Sequence, residues 1–253
     1  VHFLWGSLLA ILGLVFVFFI SVWNGWVGYM PDMDELSNPI DKFASQVYSS
    51  DQQLIGTWNA DNNNRVAIDY NGLSPHLVHA LVATEDERFY EHSGVDFIAL
   101  GRAVVKRGVM GQASAGGGST ITQQLAKQLF SEKAHSTVER LLQKPIEWII
   151  AVKLERYFTK EEILAMYFNY FDFLHNAVGI KRAANVYFNK EPRKLTVTES
   201  AMLVGLCKNP SMFNPLRHPE RCLQRRNVVL MQMVKSGYVT KDEYKELSQR
   251  PLG

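Results

Sequence analysis

The chain has 253 residues, 47% of them apolar, and a formal net charge of +2. That apolar share suits a chain burying a core, long enough for one large domain or two small ones plus an anchor. The near-neutral balance carries no nucleic-acid footprint, and the two cysteines, Cys207 and Cys222, make no disulfide framework and read as buried thiols.

Residues 1–31 contain no Asp, Glu, Lys or Arg. The apolar run Leu4 to Val27 is about 36 Å long as a helix, enough to cross a hydrocarbon core of about 30 Å. Trp23, Trp26 and Tyr29 cluster at its far end like an interfacial aromatic belt. The expectation is an uncleaved transmembrane anchor. A cleaved signal peptide is the alternative, with a shorter apolar core and a small-residue cleavage site.

Residues 32–73 read as an extended, acidic exit followed by a small β element. Ser45–Ser49 and Gln53–Trp58 flank Ser50-Asp51, a hairpin signature, and Arg65–Asp69 reads as a third short strand. Residues 74–253 read as one helical domain. Ser74 suits an N-cap and Pro75 the first helical position. Leu77, Val78, Leu81 and Val82 recur at helical spacing, and Glu85 continues that stripe. A carboxylate ending an apolar stripe is either paired or shifted in pKa, and both are habits of catalytic acids and bases. The plainer reading is an ion pair between Glu85 and Arg88.

Farther on, Thr-x-x-Glu capping boxes fall at Thr159/Glu162, Thr196/Glu199 and Thr240/Glu243. An apolar-periodic run covers Val138 to Tyr157, with Pro145 expected to begin, kink or break the helix there. Further helices fit Lys160–Tyr170, Ala177–Phe188, Thr198–Cys207 and Glu220–Ser236. Gly108 to Gly118 is a glycine-rich loop.

That loop runs into Gly117-Gly118-Ser119-Thr120-Ile121-Thr122-Gln123-Gln124-Leu125-Ala126-Lys127. Exposed N–H groups at such a helix start favour an anion. Thr120, Gln124 and Lys127 share one face by spacing. No Lys-Ser/Thr follows the glycines, so this is no Walker loop. A flexible linker and a capped helix explain the pattern equally. Glu147, bracketed by Ile146, Trp148, Ile149 and Ile150, needs a partner, and Lys144 is on its face. His76 and His79 lack further metal ligands nearby.

Four segments in this order resemble the motifs of the peptidoglycan glycosyltransferase family, the transglycosylase module of class A penicillin-binding proteins and of monofunctional transglycosylases. They are Thr84–Gly94, Gly117–Lys127, Lys144 to Glu147 and Ile163–Asn169. Ala201–Pro215 followed by Arg225–Leu230 resembles the closing motif. The resemblance implies a mainly α, lysozyme-like fold and the polymerisation of lipid II into glycan strands. It makes Glu85 the catalytic base and Glu147 the second catalytic glutamate. It assigns substrate binding to Asp86, Phe89, His92, Gly117, Ser119, Thr120, Gln124, Lys127 and Lys144. It implies no required cofactor and no metal ligand. Divalent metal stimulation has no sequence indication.

The implied partners are lipid II, the growing strand, membrane lipids and other cell-wall synthesis proteins. The implied location is a bacterial cytoplasmic membrane, crossed once, with the catalytic domain on the outer face. The stretch from about Lys106 to Arg140 corresponds to a mobile membrane-touching lobe. Val109, Met110, Leu125, Leu129 and Phe130 are its expected apolar contacts, and Lys106, Arg107, Lys127 and Lys133 its basic ones. Gln143 stands where the family usually has Arg, three residues after Arg140. No Ser-x-x-Lys occurs, so the transpeptidase nucleophile motif is missing. The expected context is a truncated class A enzyme, with a monofunctional one as the alternative. Two other readings compete: a lysozyme-like lytic enzyme, and a lipid II-binding scaffold without turnover.

Overall fold

The computed structural model describes residues 2–28, 30–32, 45–51, 54–58, 66–108, 118–130 and 137–252. Helix α1, His2–Trp23, is long and apolar enough to cross a membrane. Its 22 residues extend about 33 Å. Strands β1, Ser45–Tyr48, and β2, Leu54–Trp58, pair antiparallel from Ser45↔Trp58, with a register shift between Val47 and Tyr48.

The expected β element is therefore reduced to this hairpin. Residues 66–69 are not a strand, because a side chain takes the place of a strand partner. Asn169 Oδ1 accepts from the Ile68 N–H at 3.2 Å, and Asn169 Nδ2 donates to Ile68 O at 2.8 Å. Both backbone groups of Ile68 are satisfied without a ladder.

The rest of the described chain is helical. In order come α2 (Pro75–Glu85), α3 (Phe97–Gly108), α4 (Ile121–Phe130), α5 (Thr137–Tyr157) and α6 (Lys160–Tyr170). Then follow α7 (Ile180–Phe188), α8 (Val197–Lys208), α9 (Pro219–Lys235) and α10 (Lys241–Leu247). The three Thr-x-x-Glu boxes start α6, α8 and α10, each with both reciprocal bonds formed. Helix α5 continues through Pro145 instead of starting or breaking there. Helix α7 starts at Ile180, not Ala177. Gly179 before it has φ +82°, and a Cβ there would stand 2.8 Å from Asn169 O. Only glycine tolerates both conditions.

Helix α2 is the centre of the core. Helices α8 and α9 pack on it and on each other, and α4 packs on α5 and α6. With neighbours on several sides, α2 buries Leu77, Val78, Ala80, Leu81, Val82 and Ala83, more than the single stripe read from its spacing. Helix α8 is buried from Ser200 to Cys207. Burying a central polypeptide segment this way leaves only its ends to meet solvent, and Glu85 is the last residue of α2.

Candidate active site

Glu85 leaves the core at the edge of a cleft of about 220 Å³. The end of α2, the start of α3, residues 118–120 and Gln232 of α9 line it. The carboxylate is held from two sides. Gln124 Nε2 donates to Glu85 Oε2 at 3.1 Å, and Arg225 Nη2 donates to Glu85 Oε1 at 3.3 Å. Tyr167, fully buried, donates its hydroxyl to Gln124 Oε1 at 3.0 Å. That bond fixes which way the amide faces, so its NH2 group points at Glu85. The Glu85 side chain remains 17% exposed, and each oxygen keeps a lone pair for a further donor.

Burial pulls the Arg225 guanidinium below its ordinary pKa, and the charge of Glu85 offsets part of that effect. Burial also raises the Tyr167 phenol well above its usual value, so it is a neutral donor. Two further groups here, Arg225 Nε and Thr84 Oγ1, are buried without a hydrogen-bond partner among the described residues.

The expected pair between Glu85 and Arg88 does not form. Arg88 bonds Glu91 at 2.8 Å and Asp96 at 3.4 Å. The loop after α2 turns Arg88 toward those residues. Glu91 is exposed, and Glu87 is exposed where it lines the cleft.

Four of the residues expected to bind substrate are largely buried, and two of them, Asp86 and Thr120, also line the cleft. Asp86 is 8% exposed. It accepts the Ile121 N–H at 3.0 Å and His92 Nε2 at 3.0 and 3.1 Å. Asp86 thus places a carboxylate at the N-terminus of α4, where the helix dipole favours it. Thr120 is 2% exposed, donates to Gly94 O at 2.6 Å and accepts from the Gln123 N–H at 3.1 Å. Phe89 is fully buried, with Lys160 Nζ 4.3 Å from its ring centroid and the His92 ring edge-on to it. The His92 side chain is 6% exposed. These four lock α4 against the loop after α2 and so set where Gln124 meets Glu85. Gly94 completes the lock. Its φ is +93°, and a Cβ would lie 2.7 Å from the Ala151 backbone.

Among the other expected binding residues, Ser119 is half-buried, lines the cleft and donates to Gln123 Oε1 at 3.1 Å. Lys127 is exposed in the last turn of α4, one turn past Gln124. Gly117 lies outside the described residues. Lys144 donates to Glu147 at 2.7 Å, the ion pair that their spacing allows. The partners differ sharply in exposure: 53% for the Lys144 side chain and 3% for Glu147. Glu147, expected as the second catalytic glutamate, lies buried beneath that ammonium, which faces outward.

Of the expected membrane-touching residues, Leu125 is fully buried in the core, and Leu129 and Phe130 pack against that core. Helix α4, which carries them, packs on α5 and α6. Val109, Met110 and Lys133, and the side chains of Lys106, Arg107 and Arg140, lie outside the described residues.

A family model described as Transglycosylase matches residues 51–234. The chain belongs to the transglycosylase family. It is 39% identical to penicillin-binding protein 1A of Aquifex aeolicus over 98% of this chain and 32% of that protein. It is 40% identical to penicillin-binding protein 1A of Escherichia coli over 85% of this chain and 24% of that protein. Against penicillin-binding protein 1F of Bacillus subtilis the identity is 41%, over 75% and 26% respectively. The chain thus spans about a third or less of the length of these relatives.

Two residues of this transglycosylase's site escaped assignment from sequence. Arg225 stood within the closing motif but received no role, because its partner is 140 residues away. Tyr167, in the motif on α6, likewise received none. A usable signal did exist for the arginine pair. Cys222, Arg226, Val229, Leu230 and Met233 make the buried stripe of α9, so Arg226 is the core member and Arg225 the one left to face the site. Arg226, 1% exposed, donates to Leu247 O, Ser248 O and Pro251 O, fastening the end of α10.

Proposed function

We propose that this chain is a membrane-anchored peptidoglycan glycosyltransferase that polymerises lipid II. The observation that carries the reading is the Glu85 carboxylate at the cleft edge, oriented by Gln124 and Arg225 and still open to one more donor. Glu85 accepts the proton of the acceptor sugar's 4-hydroxyl. The freed oxygen attacks the anomeric carbon of the lipid-linked donor. The new C–O bond forms as the bond to the diphosphate oxygen breaks, with inversion, and the electron pair leaves on undecaprenyl diphosphate. A base held at the reacting proton and a fixed cation near the departing charge each lower the barrier.

Lys144 and Lys127 are the exposed cations suited to the diphosphate. Glu147 acts through Lys144, as a positioning residue. Helix α1 anchors the enzyme, with the cleft on the outer face of the membrane, where the lipid-linked donor is presented. A lytic enzyme would also place a glutamate beside glycan, but cations for a diphosphate leaving group have no use in hydrolysis of finished strands.

The test is incubation with labelled lipid II in detergent. Polymer from the unaltered chain and none from Glu85→Gln supports the reading. Cleavage of preformed glycan without polymerisation would identify a lytic enzyme, and binding without turnover a scaffold.

A further inference from the structure

Helix α5 meets the membrane helix along one face. Ile146, Ile149, Lys153 and Arg156 follow each other at three, four and three residues, a single helical stripe. Opposite stand the end of α1 and the turn after it. Val22 is fully buried, the Phe19 ring stacks on Trp148 with centroids 6.4 Å apart, and Ile146 fits against Gly28. At the top of this seam two cations share one ring. Lys153 Nζ lies 5.1 Å and Arg156 Cζ 5.5 Å from the centroid of Trp23.

No ion pair among the described residues includes Lys153 or Arg156. The nearby carboxylate, Glu155, is taken by Lys160 at 2.6 Å and by the Thr122 hydroxyl at 2.6 Å. Lys153 is only 7% exposed, whereas Arg156 is exposed. A cation–π contact offsets part of the cost of burying an ammonium, but two like charges on one ring repel each other. Burial accordingly pulls Lys153 below the ordinary lysine pKa. An anion between the two would relieve both penalties.

The place of the pair names the anion. Trp23 ends a helix long and apolar enough to span the bilayer, and Trp26 just beyond is 76% exposed. Tryptophans of this kind sit at headgroup depth, where basic pockets beside membrane helices take lipid phosphates.

We propose that the junction of α1 and α5 binds the phosphate of an anionic phospholipid headgroup between Lys153 and Arg156, over Trp23. The bound lipid ties α5, which carries Lys144 and Glu147, to the membrane anchor. The site stands apart from Glu85 and does not depend on the proposed reaction.

The experiment places the full chain in nanodiscs of phosphatidylcholine with a minor fraction of phosphatidylglycerol and reads retained lipid by native mass spectrometry. Selective retention of phosphatidylglycerol is expected. Loss of one charge-assisted contact should reduce it about tenfold in Lys153→Gln. Arg156→Gln, at an exposed position that leaves folding unaffected, should weaken it in the same direction. Equal retention of the two lipids, or unchanged retention in both variants, overturns the proposal. A third arm adds millimolar inorganic phosphate to discs of pure phosphatidylcholine. Occupation of the pair by free phosphate, seen as a shift of the Lys153 side-chain resonance, would overturn the lipid assignment in favour of a small-anion site.

Discussion

Arg225 on α9 donates to Glu85 at the end of α2 across 3.3 Å, joining residues 140 apart in the chain. The contact brings a half-open carboxylate and a buried guanidinium to one spot. Removing one partner of a buried pair costs about 3–5 kcal/mol, and the partial exposure here reduces that to about 1–3. Arg225→Met should therefore lower the melting temperature by several degrees, at about 2–4 °C per kcal/mol for a domain of this size. It should also cut lipid II turnover by more than tenfold. Arg225→Lys keeps the charge but loses the planar fork, so stability should recover more than turnover. Melting curves beside polymerisation rates check this. Arg225→Met with unaltered turnover would remove Arg225 from the site.

Asp86 touches the Ile121 N–H and His92, and is 8% exposed. Its variant should read as a folding defect. Asp86→Asn keeps the shape but loses the charge at the start of α4, a cap and dipole contribution of about 1–2 kcal/mol. The melting temperature should fall, and the KM for lipid II should stay near that of the unaltered chain in the folded fraction. A raised KM at an unchanged melting temperature would instead put Asp86 in contact with substrate.

Lys127 is the opposite case. It is exposed, follows Gln124 by one helical turn and contributes nothing to the core. Lys127→Ala should leave the melting temperature within about a degree, since exposed substitutions stay within about 0.5 kcal/mol. Turnover should drop by about tenfold or more, the size of one charged hydrogen bond to the leaving diphosphate. A large loss of stability would make Lys127 structural.

The features legible in the sequence are those closed within a few residues. The three Thr-x-x-Glu boxes, the Ser74-Pro75 start and the Lys144–Glu147 pair each need only local backbone geometry, and each forms. Glu85 was legible because helical spacing put it at the end of the buried stripe, and family resemblance gave it a role. Its partners were not. The nearest cation in sequence, Arg88, is drawn away by Asp96, which also caps α3 by accepting from the Ile98 and Ala99 N–H groups. Arg225 arrives only because α9 packs against α2. The third strand failed for the same reason, since Asn169, 101 residues later, takes both backbone groups of Ile68. Motif membership also hid a division of labour. Phe89 and His92 belong to the motifs yet sit behind the cleft, whereas Asp86 and Thr120 are buried and still line it. Which of them reaches the cleft is set by distant packing.

Glu199 tests the fold through pH. Burial alone would raise its pKa, but hydrogen bonds from Lys190 and from the Thr196 backbone and side chain outweigh that and lower it below 4.5. A carboxylate whose folded pKa is depressed stabilises the fold above its unfolded value. That contribution disappears as pH falls from about 4.5 through the folded value. Glu199→Gln removes the charge at every pH, while its amide oxygen can still accept from the Thr196 N–H in the capping box of α8. The variant should be less stable than the unaltered chain near neutrality, by about 0.5–1 kcal/mol for the lost charge beside Lys190 and the N-terminus of α8. As pH falls through the folded value the two stabilities should converge, because protonation then removes the same charge from Glu199. Urea midpoints measured from about pH 3 to pH 7 give the comparison. A gap that stays constant down to the acid end would show that the Glu199 charge is not linked to folding.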